Sequence, residues 1–419
     1  MRKSTLILLL LLVSISLRAD YLITSRSANI KEEPVSDAAA LENVGEGARL
    51  SLLDNGIQSN GYYHVTSAAG IEGWVYRTLV RRYADSGTPL TGSSSSSSSS
   101  ATSSDRVEVT AIDVGSGLSC LIKLPNNKYI IYDAGYVSPV TKFLESKLNP
   151  GAAIEMLILS HTDNDHWGAV ANIINTYKVK KVYRTSYRDG NYADAYKNGV
   201  EAITNVTYSL EDHDLGDEGD LQPGTVLYNK DGVKLTAICG FKEPLSAWNL
   251  KDAKANNSIS IVVRLEYAGH SIIIAGDAVG HTECADDNAC IATEKFMLDN
   301  ATAASLLNAD VLVAAHHGAD NASCGLFIDK VSPEFVIFSA GNAHRHPRQS
   351  TAERFINGGV DPHNIFRTDK GKIQDEGNPD LCKQEYDDGT DTGADTSGDD
   401  HVQVLLPKTG KVKVGYVTP

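Results

Sequence analysis

His161-Thr162-Asp163-Asn164-Asp165-His166 sets two imidazoles and two carboxylates within six residues, directly after the apolar run Met156-Leu157-Ile158-Leu159. A buried strand ending there carries metal-ligating side chains to the rim of a sheet. Left unpaired, such groups are costly to desolvate, and a cation is their natural partner. Imidazole with carboxylate, and no thiolate nearby, suits Zn²⁺, Mn²⁺ or Fe rather than Ca²⁺. A polar loop with chance histidines is the bland alternative, but ligand groups are rarely this dense without a site.

The same pattern recurs downstream. Ser271 to Ala275 leads into Gly276-Asp277, and Val311 to Ala315 leads into His316-His317-Gly318. Phe335 to Ser339 leads into Gly341-Asn342 and His344-Arg345-His346-Pro347. Open α/β sheets build their sites at the carboxyl ends of strands. One strand-end Asp or His is as often structural as functional; several, added to the opening cluster, point to one shared site.

The elements that must position these residues follow from the chain's punctuation. At 419 residues, two or three domains are expected. Arg2 and Lys3, the apolar run Leu6 to Val13 and the stretch Ser14 to Ala19 read as a secretory leader over residues 1–19, so the mature protein is expected to be periplasmic or extracellular. No later segment is apolar enough to span a membrane. A linker over residues 86–105 contains the unbroken serine run Ser93 to Ser100, a composition that cannot bury a core. It separates a short module, residues 20–85, from a long one, residues 106–419.

The short module alternates strand-like runs with turns: Tyr21-Leu22-Ile23, Ala28-Asn29-Ile30, Ala48 to Leu53, Tyr62 to Val65 and Gly73 to Tyr76. With its Ala28-Asn29-Ile30, Gly61-Tyr62-Tyr63-His64-Val65 and Glu72-Gly73-Trp74-Val75 it resembles the bacterial SH3-like (SH3b) domain, a small all-β barrel. That resemblance implies a cell-wall or peptide ligand. Trp74 and the tyrosines can equally be barrel core.

The long module alternates strands with helical stretches. Strands are expected at Val107 to Val114, Cys120 to Leu124, Tyr129 to Tyr132, Lys181 to Arg184, Val233 to Cys239 and Ser258 to Tyr267, and at the three strand ends above. Helices are expected at Thr141 to Leu148, Val170 to Tyr177 and Phe296 to Leu307. The sum is a layered α/β sandwich.

Ile112-Asp113-Val114-Gly115, Asp133-Ala134-Gly135, Ser160 to Gly168, Asn257-Ser258, Gly276-Asp277, Ala309 to Gly318, Gly341-Asn342 and His346-Pro347 occur in the order of a known family. The module resembles the metallo-β-lactamase fold, an αββα sandwich, in the branch found in ComEC-type DNA-uptake proteins. In that branch the third position of the first motif is Asp, here Asp163. The resemblance implies two divalent metal ions, Zn or Mn. One would be bound by His161 and Asp163, the other by Asp165 and His166, with Asp277 bridging and His316 completing the second site. His317 would contact substrate or ligate in place of His316. Asp165 would also orient a nucleophilic water, and His346 would assist the leaving group or fix its own loop. The histidine that usually precedes the bridging Asp is missing; only His213 and His270 lie in that interval. Where the branch reads Gly-Gln-Gly-Asp this chain has Gly115-Ser116-Gly117-Leu118, and Ala319 stands where Ser follows the double His.

Two such metals acidify water and stabilise a developing oxyanion, so an exported metal-dependent hydrolase is expected, acting on a phosphodiester, with nucleic acid as a candidate substrate. A formal charge of −15 opposes loose binding of polyanions, and a leader carrying Arg2, Lys3 and Arg18 leaves the mature chain more acidic still. The alternatives are hydrolysis of another ester or amide (a lactone, a β-lactam, a wall component) and a non-catalytic wall-binding protein. Of six cysteines, Cys284 and Cys290 bracket a loop that a bridge could close, Cys324 and Cys382 could pair, and Cys120 and Cys239 suit core thiols.

Overall fold

The computed structural model describes residues 21–24, 27–35, 38–53, 58–59, 62–76, 79–83, 105–341, 344–369, 380–386 and 400–417. The expected leader, the serine run, Gly61, Asn342 and the acidic stretch up to residue 399 lie outside them. The chain divides into two compact units, Met1–Ser94 and Ser95–Pro419.

The first unit is all-β among its described residues. Its strands run Tyr21–Thr24, Ala28–Lys31, Ala40–Val44, Arg49–Leu52, Gln58–Ser59, Tyr62–Thr66, Glu72–Tyr76 and Val80–Tyr83, hydrogen-bonded into one antiparallel sheet. Period-2 alternation sends Leu22, Ile30, Leu50, Val65 and Val75 inward, all fully buried. Gly73 lets two strands approach, since a Cβ there would lie 2.5 Å from Lys31 O. Trp74 is half-buried and stacks on His64 at 4.4 Å, so it is not a core residue.

The second unit holds two sheets. The first runs, in spatial order, Glu211–Asp214, Lys181–Arg184, Ala153–Ile158, Tyr129–Tyr132, Cys120–Lys123, Arg106–Ala111, His401–Pro407 and Lys413–Val417. The second runs Val226–Lys230, Val233–Cys239, Val262–Tyr267, His270–Ile274, Val311–Val313, Phe335–Phe338 and Ile365–Arg367. Alternation along the strands builds the layers. Ile130, Met156, Ile158, Ile272, Ile274, Val311 and Val313 fill one core shared by both sheets. The residues between them face outward: Ile131 and Leu157 onto Phe143, Val170 and Ile173, and Ile273 and Leu312 onto Met297, Phe327 and Phe355. Helices Val137–Lys147, Val170–Thr176 and Asp194–Thr204 therefore cover one sheet, and Ala292–Asp299, Gly325–Val331 and Gln349–Asn357 cover the other. This is an αββα sandwich, as expected.

The structure departs from the sequence reading in three places. The run from Ser258 does not open a strand: helix Asp252–Ser258 comes first and the strand begins at Val262. Ser258 Oγ donates to Ala255 O and Ser260 Oγ to Asn257 O, local bonds that favour a helix end over a ladder. The single helix expected from Phe296 is two, Ala292–Asp299 and Ala301–Ser305, because Asn300 caps the second by accepting from Thr302 and Ala303 N–H. The disulfides are Cys284–Cys382 and Cys290–Cys324, not the pairs the spacing suggested. Turn bonds inside the short loop, Ala289 N to Asp286 O and Cys290 N to Asn288 O, accompany this divergence of its two cysteines. Cys120 and Cys239 are buried free thiols, pushed up by burial, as expected of core residues.

Candidate metal centre

The first motif follows strand Ala153–Ile158, and its residues are fixed from both sides. Asp133, at the end of the neighbouring parallel strand Tyr129–Tyr132, accepts from Ser160 N–H and Ser160 Oγ, each at 2.7 Å. The same carboxylate lies 2.7 Å from His166 Nδ1. Trp167, fully buried, donates its indole N–H to His161 O at 2.5 Å. His161 and His166 are wholly buried, whereas Asp163 and Asp165 remain partly open.

The second sheet supplies the rest. After strand His270–Ile274, Gly276 turns at φ +53°, where a Cβ would meet Ser160 Cβ at 2.7 Å, so only glycine lets Asp277 approach the first motif. Asp277 N–H donates to Ser260 Oγ at 3.0 Å. After strand Val311–Val313, His316, His317 and Gly318 take left-handed φ values of +50°, +56° and +80° in succession. Such a run is costly for residues with a Cβ, typically about 1–3 kcal/mol each, and such strain clusters at functional sites. His317 Nδ1 donates to Ser339 O at 2.6 Å, which turns its Nε2 toward the cluster.

These groups converge. His166 Nε2 lies 3.2 Å from Asp277 Oδ1, and His161 Nε2 lies 3.9 Å from Asp277 Oδ2. His317 Nε2 lies 3.4 Å from Asp165 Oδ2 and 3.5 Å from Asp277 Oδ2. His161 Nε2, His166 Nε2, His317 Nε2 and Asp277 Oδ1 are buried without any hydrogen-bond partner. Orphaned atoms of this kind are expensive unless a cation takes their lone pairs. Two groupings could hold a metal: His161, His166 and Asp277, and Asp165, His166 and His317. The donor set is imidazole and carboxylate, which fits Zn²⁺ or Mn²⁺.

Electrostatics are consistent with a cation site. Burial alone would raise the Asp277 carboxyl, but His166, His317 and His316 hold it well below the usual range. Burial raises Asp163 too, yet His161 and Arg188 bring it down to about 2. Burial lowers His317, but Asp277 and Asp165 override it and push the ring up to about 10.

His316 is differently placed. Its Nδ1 meets the Asn321 amide at 2.5 Å, and its Nε2 lies 3.2 Å from the Asn257 amide. Both nitrogens are thus engaged, and its Nε2 stands 3.8 Å from Asp277 Oδ2. Asp163 meets His161 Nε2 at 3.6 Å and pairs with Arg188. His346 stands 5.7 Å from the His316 ring and 6.5 Å from that of His317, its Nδ1 buried and unpartnered. Burial, with His316, His317 and Arg348 beside it, keeps its imidazole neutral. The backbone of His346 is held by Arg367, which also pairs with buried Asp369 and Glu385.

His213 and His270 do not approach the cluster: His213 pairs with Glu218 and stacks on Tyr183, and His270 bonds Gly410 O. The position between the first motif and Asp277 is taken instead by Asn257, which the residue types alone did not single out as part of the site. Asp133 and Asn257 lie in stretches the resemblance picked out without giving them a role, and Arg188 was not singled out at all, because each acts across a strand or loop boundary.

Residues 112–232 match the metallo-beta-lactamase superfamily. The second unit has the metallo-β-lactamase fold. Among curated relatives of this metallo-β-lactamase-fold chain, Competence protein ComA of Neisseria gonorrhoeae is 27% identical over 281 residues, covering 64% of this chain and 32% of that protein. Recombination protein 2 of Haemophilus influenzae is 27% identical over 254 residues, covering 59% and 26%. ComE operon protein 3 of Bacillus subtilis is 24% identical over 293 residues, covering 64% and 32%. The chain thus spans about a third or less of the length of the curated relatives it matches. The matched residues include His161 and His166, while the orphaned atoms of Asp277 and His317 come from loops of the second sheet beyond the match. Among the described residues no helix is long and apolar enough to cross a membrane.

Proposed function

We propose that the second unit is a two-metal phosphodiesterase. The observation that carries this reading is the convergence of His161, His166, His317 and Asp277 on one another through buried atoms that nothing else satisfies. Zn²⁺ or Mn²⁺ held there would supply acidified water and offset the charge that develops on a phosphoryl oxygen.

The chain's own residues do the rest. Asp133 and Ser339 O hold the Nδ1 protons of His166 and His317, so both rings would offer Nε2 to a cation, which would take the place of a proton there. His317 takes the ligand role in this reading, and His316, engaged on both nitrogens, positions the loop. Asp277 belongs to the grouping with His161 and lies 3.5 Å from His317 of the other, while His166 is common to both. Asp165, half open beside His317, orients the attacking water. His346 is neutral and carries one N–H, which a leaving-group oxygen can accept.

Relatives named as competence proteins favour a nucleic-acid phosphodiester as substrate, while the acidic charge disfavours loose binding. Export through residues 1–19 and tethering to the cell wall by the N-terminal all-β unit, read as an SH3b domain, complete the proposal. Bis-p-nitrophenyl phosphate, single-stranded DNA and nitrocefin, assayed in parallel, test it. Hydrolysis of the first two is expected; turnover of nitrocefin alone would replace the phosphodiesterase reading with a lactamase one. For the first unit, retention on peptidoglycan should be lost when residues 20–85 are deleted.

A further inference from the structure

We propose that the two metal positions are unequal: the one served by Asp165, His166 and His317 fills first, and the one at His161 and Asp163 fills only at higher metal concentration, because Arg188 and Asn257 already occupy Asp163. The inference rests on the two-metal reading above and adds Asp163, Arg188 and Asn257, which that reading leaves unused.

Asp163 has two oxygens, and neither is uncommitted. Oδ1 takes the Arg188 guanidinium at 2.5 Å. Arg188 is fixed there by two more bonds, Nε to Asn191 O at 2.7 Å and Nη1 to Thr162 O at 3.1 Å, and it is largely buried. Oδ2 faces Asn257, which is almost wholly buried. With its amide nitrogen toward the carboxylate, Asn257 donates to Asp163 Oδ2 at 3.2 Å and to Ala253 O at 2.9 Å, while its oxygen accepts from His316 Nε2 at 3.2 Å. In that orientation Asn257 offers Asp163 a hydrogen bond and offers a metal nothing. The carboxylate's charge is thus compensated by a guanidinium, which also repels a divalent cation brought close to it.

The other position has none of these competitors. Among the described residues, no Lys or Arg side chain pairs with Asp165, whose ion-pair neighbours are His166 and His317. His166, held by the Asp133 carboxylate, belongs to both groupings, but His317, found only in this one, is pre-oriented by Ser339 O. His161 Nδ1 has only the Ser160 hydroxyl, at 3.0 Å. Carboxylate or carbonyl support of a ligating ring typically changes metal affinity by about 10–100-fold. Support and charge therefore both favour the same position.

The test is an Mn²⁺ titration of the chelator-stripped full chain, followed by calorimetry and by electron paramagnetic resonance, which separates a single bound Mn²⁺ from an exchange-coupled pair. The wild type is expected to bind one equivalent first, with the coupled signal appearing only after a second step at least about tenfold weaker. Arg188→Met should strengthen that second step by about tenfold, and Arg188→Lys, which keeps the charge, should leave it close to wild type. A circular-dichroism melt checks that each variant is folded. A coupled signal growing in proportion from the first equivalent, or a second step unmoved in folded Arg188→Met, overturns the inference and leaves the two-metal reading standing. Absence of any bound Mn²⁺ overturns both.

Discussion

The Asp133 carboxylate lies 2.7 Å from His166 Nδ1, while Nε2 of the same ring lies 3.2 Å from Asp277 Oδ1. One imidazole thereby joins a residue at the end of the first sheet's strand to one at the end of the second's. If that geometry serves a metal, Asp133→Asn should weaken Mn²⁺ or Zn²⁺ binding by about 10–100-fold without unfolding the unit. Equilibrium dialysis against either ion checks it, and unchanged affinity would deny Asp133 this role.

The two adjacent histidines should separate cleanly. His317→Gln removes an orphaned Nε2 from the cluster and is expected to lower metal affinity by more than about 100-fold, whereas His316→Gln, which keeps an amide between Asn257 and Asn321, should cost about tenfold or less. The reverse order of losses would return the ligand role to His316.

Glu294 gives a pH test away from the metal centre. It is wholly buried, and burial pushes its carboxyl up to about 7 against the pull of the Cys324 and Ser323 N–H groups and Arg354. Between the ordinary value of 4.5 and about 7 the folded chain keeps a proton that the unfolded chain has released. Stability from this group is therefore greatest at low pH and falls as pH rises through that window, by on the order of 3 kcal/mol at most. Denaturant unfolding at pH 5 and pH 8 should show the fall in the wild type and a flatter profile in Glu294→Gln; equal slopes would contradict the assignment.

The disulfide Cys284–Cys382 joins residues 98 apart and lies against Asp320, which accepts the Cys284 N–H and pairs with Arg354. Closing a loop of that length restricts the unfolded chain, so Cys382→Ser should lower stability by about 2–4 kcal/mol. Thermal melts with and without reductant measure it, and a variant as stable as the oxidised wild type would show the bridge to be dispensable.

How much of this was legible in the sequence depended on whether the informative residues were contiguous. His161 to His166 could be read because its ligand groups share one loop after one apolar run, and Asp277 because a buried strand delivers it directly; after strand Val311–Val313 the same logic pointed to His316. The layers were legible because strand-like runs alternate with helical stretches, and Ile272-Ile273-Ile274 and Val311-Leu312-Val313, apolar at every position, send alternate side chains into two different cores. Arg188 was not, and Asp133 and Asn257 were picked out as motifs without a role, since each meets its partner only after separate elements are brought together. The choice between His316 and His317 was likewise closed to sequence: it turns on two successive left-handed residues that aim one ring inward and leave the other between asparagines. The disulfides failed for a related reason, because short spacing reports loop length and not where a folded turn points its side chains.

The most direct measurement is hydrolysis of bis-p-nitrophenyl phosphate by chelator-stripped full-length protein, with Mn²⁺ or Zn²⁺ restored, alongside Asp277→Ala. The account predicts activity that returns only with metal and is lost in Asp277→Ala, since that carboxylate completes one grouping, lies 3.2 Å from His166, which the two groupings share, and lies 3.5 Å from His317 of the other. Hydrolysis that persists in Asp277→Ala, or none in wild-type protein shown to hold its metals, would contradict it.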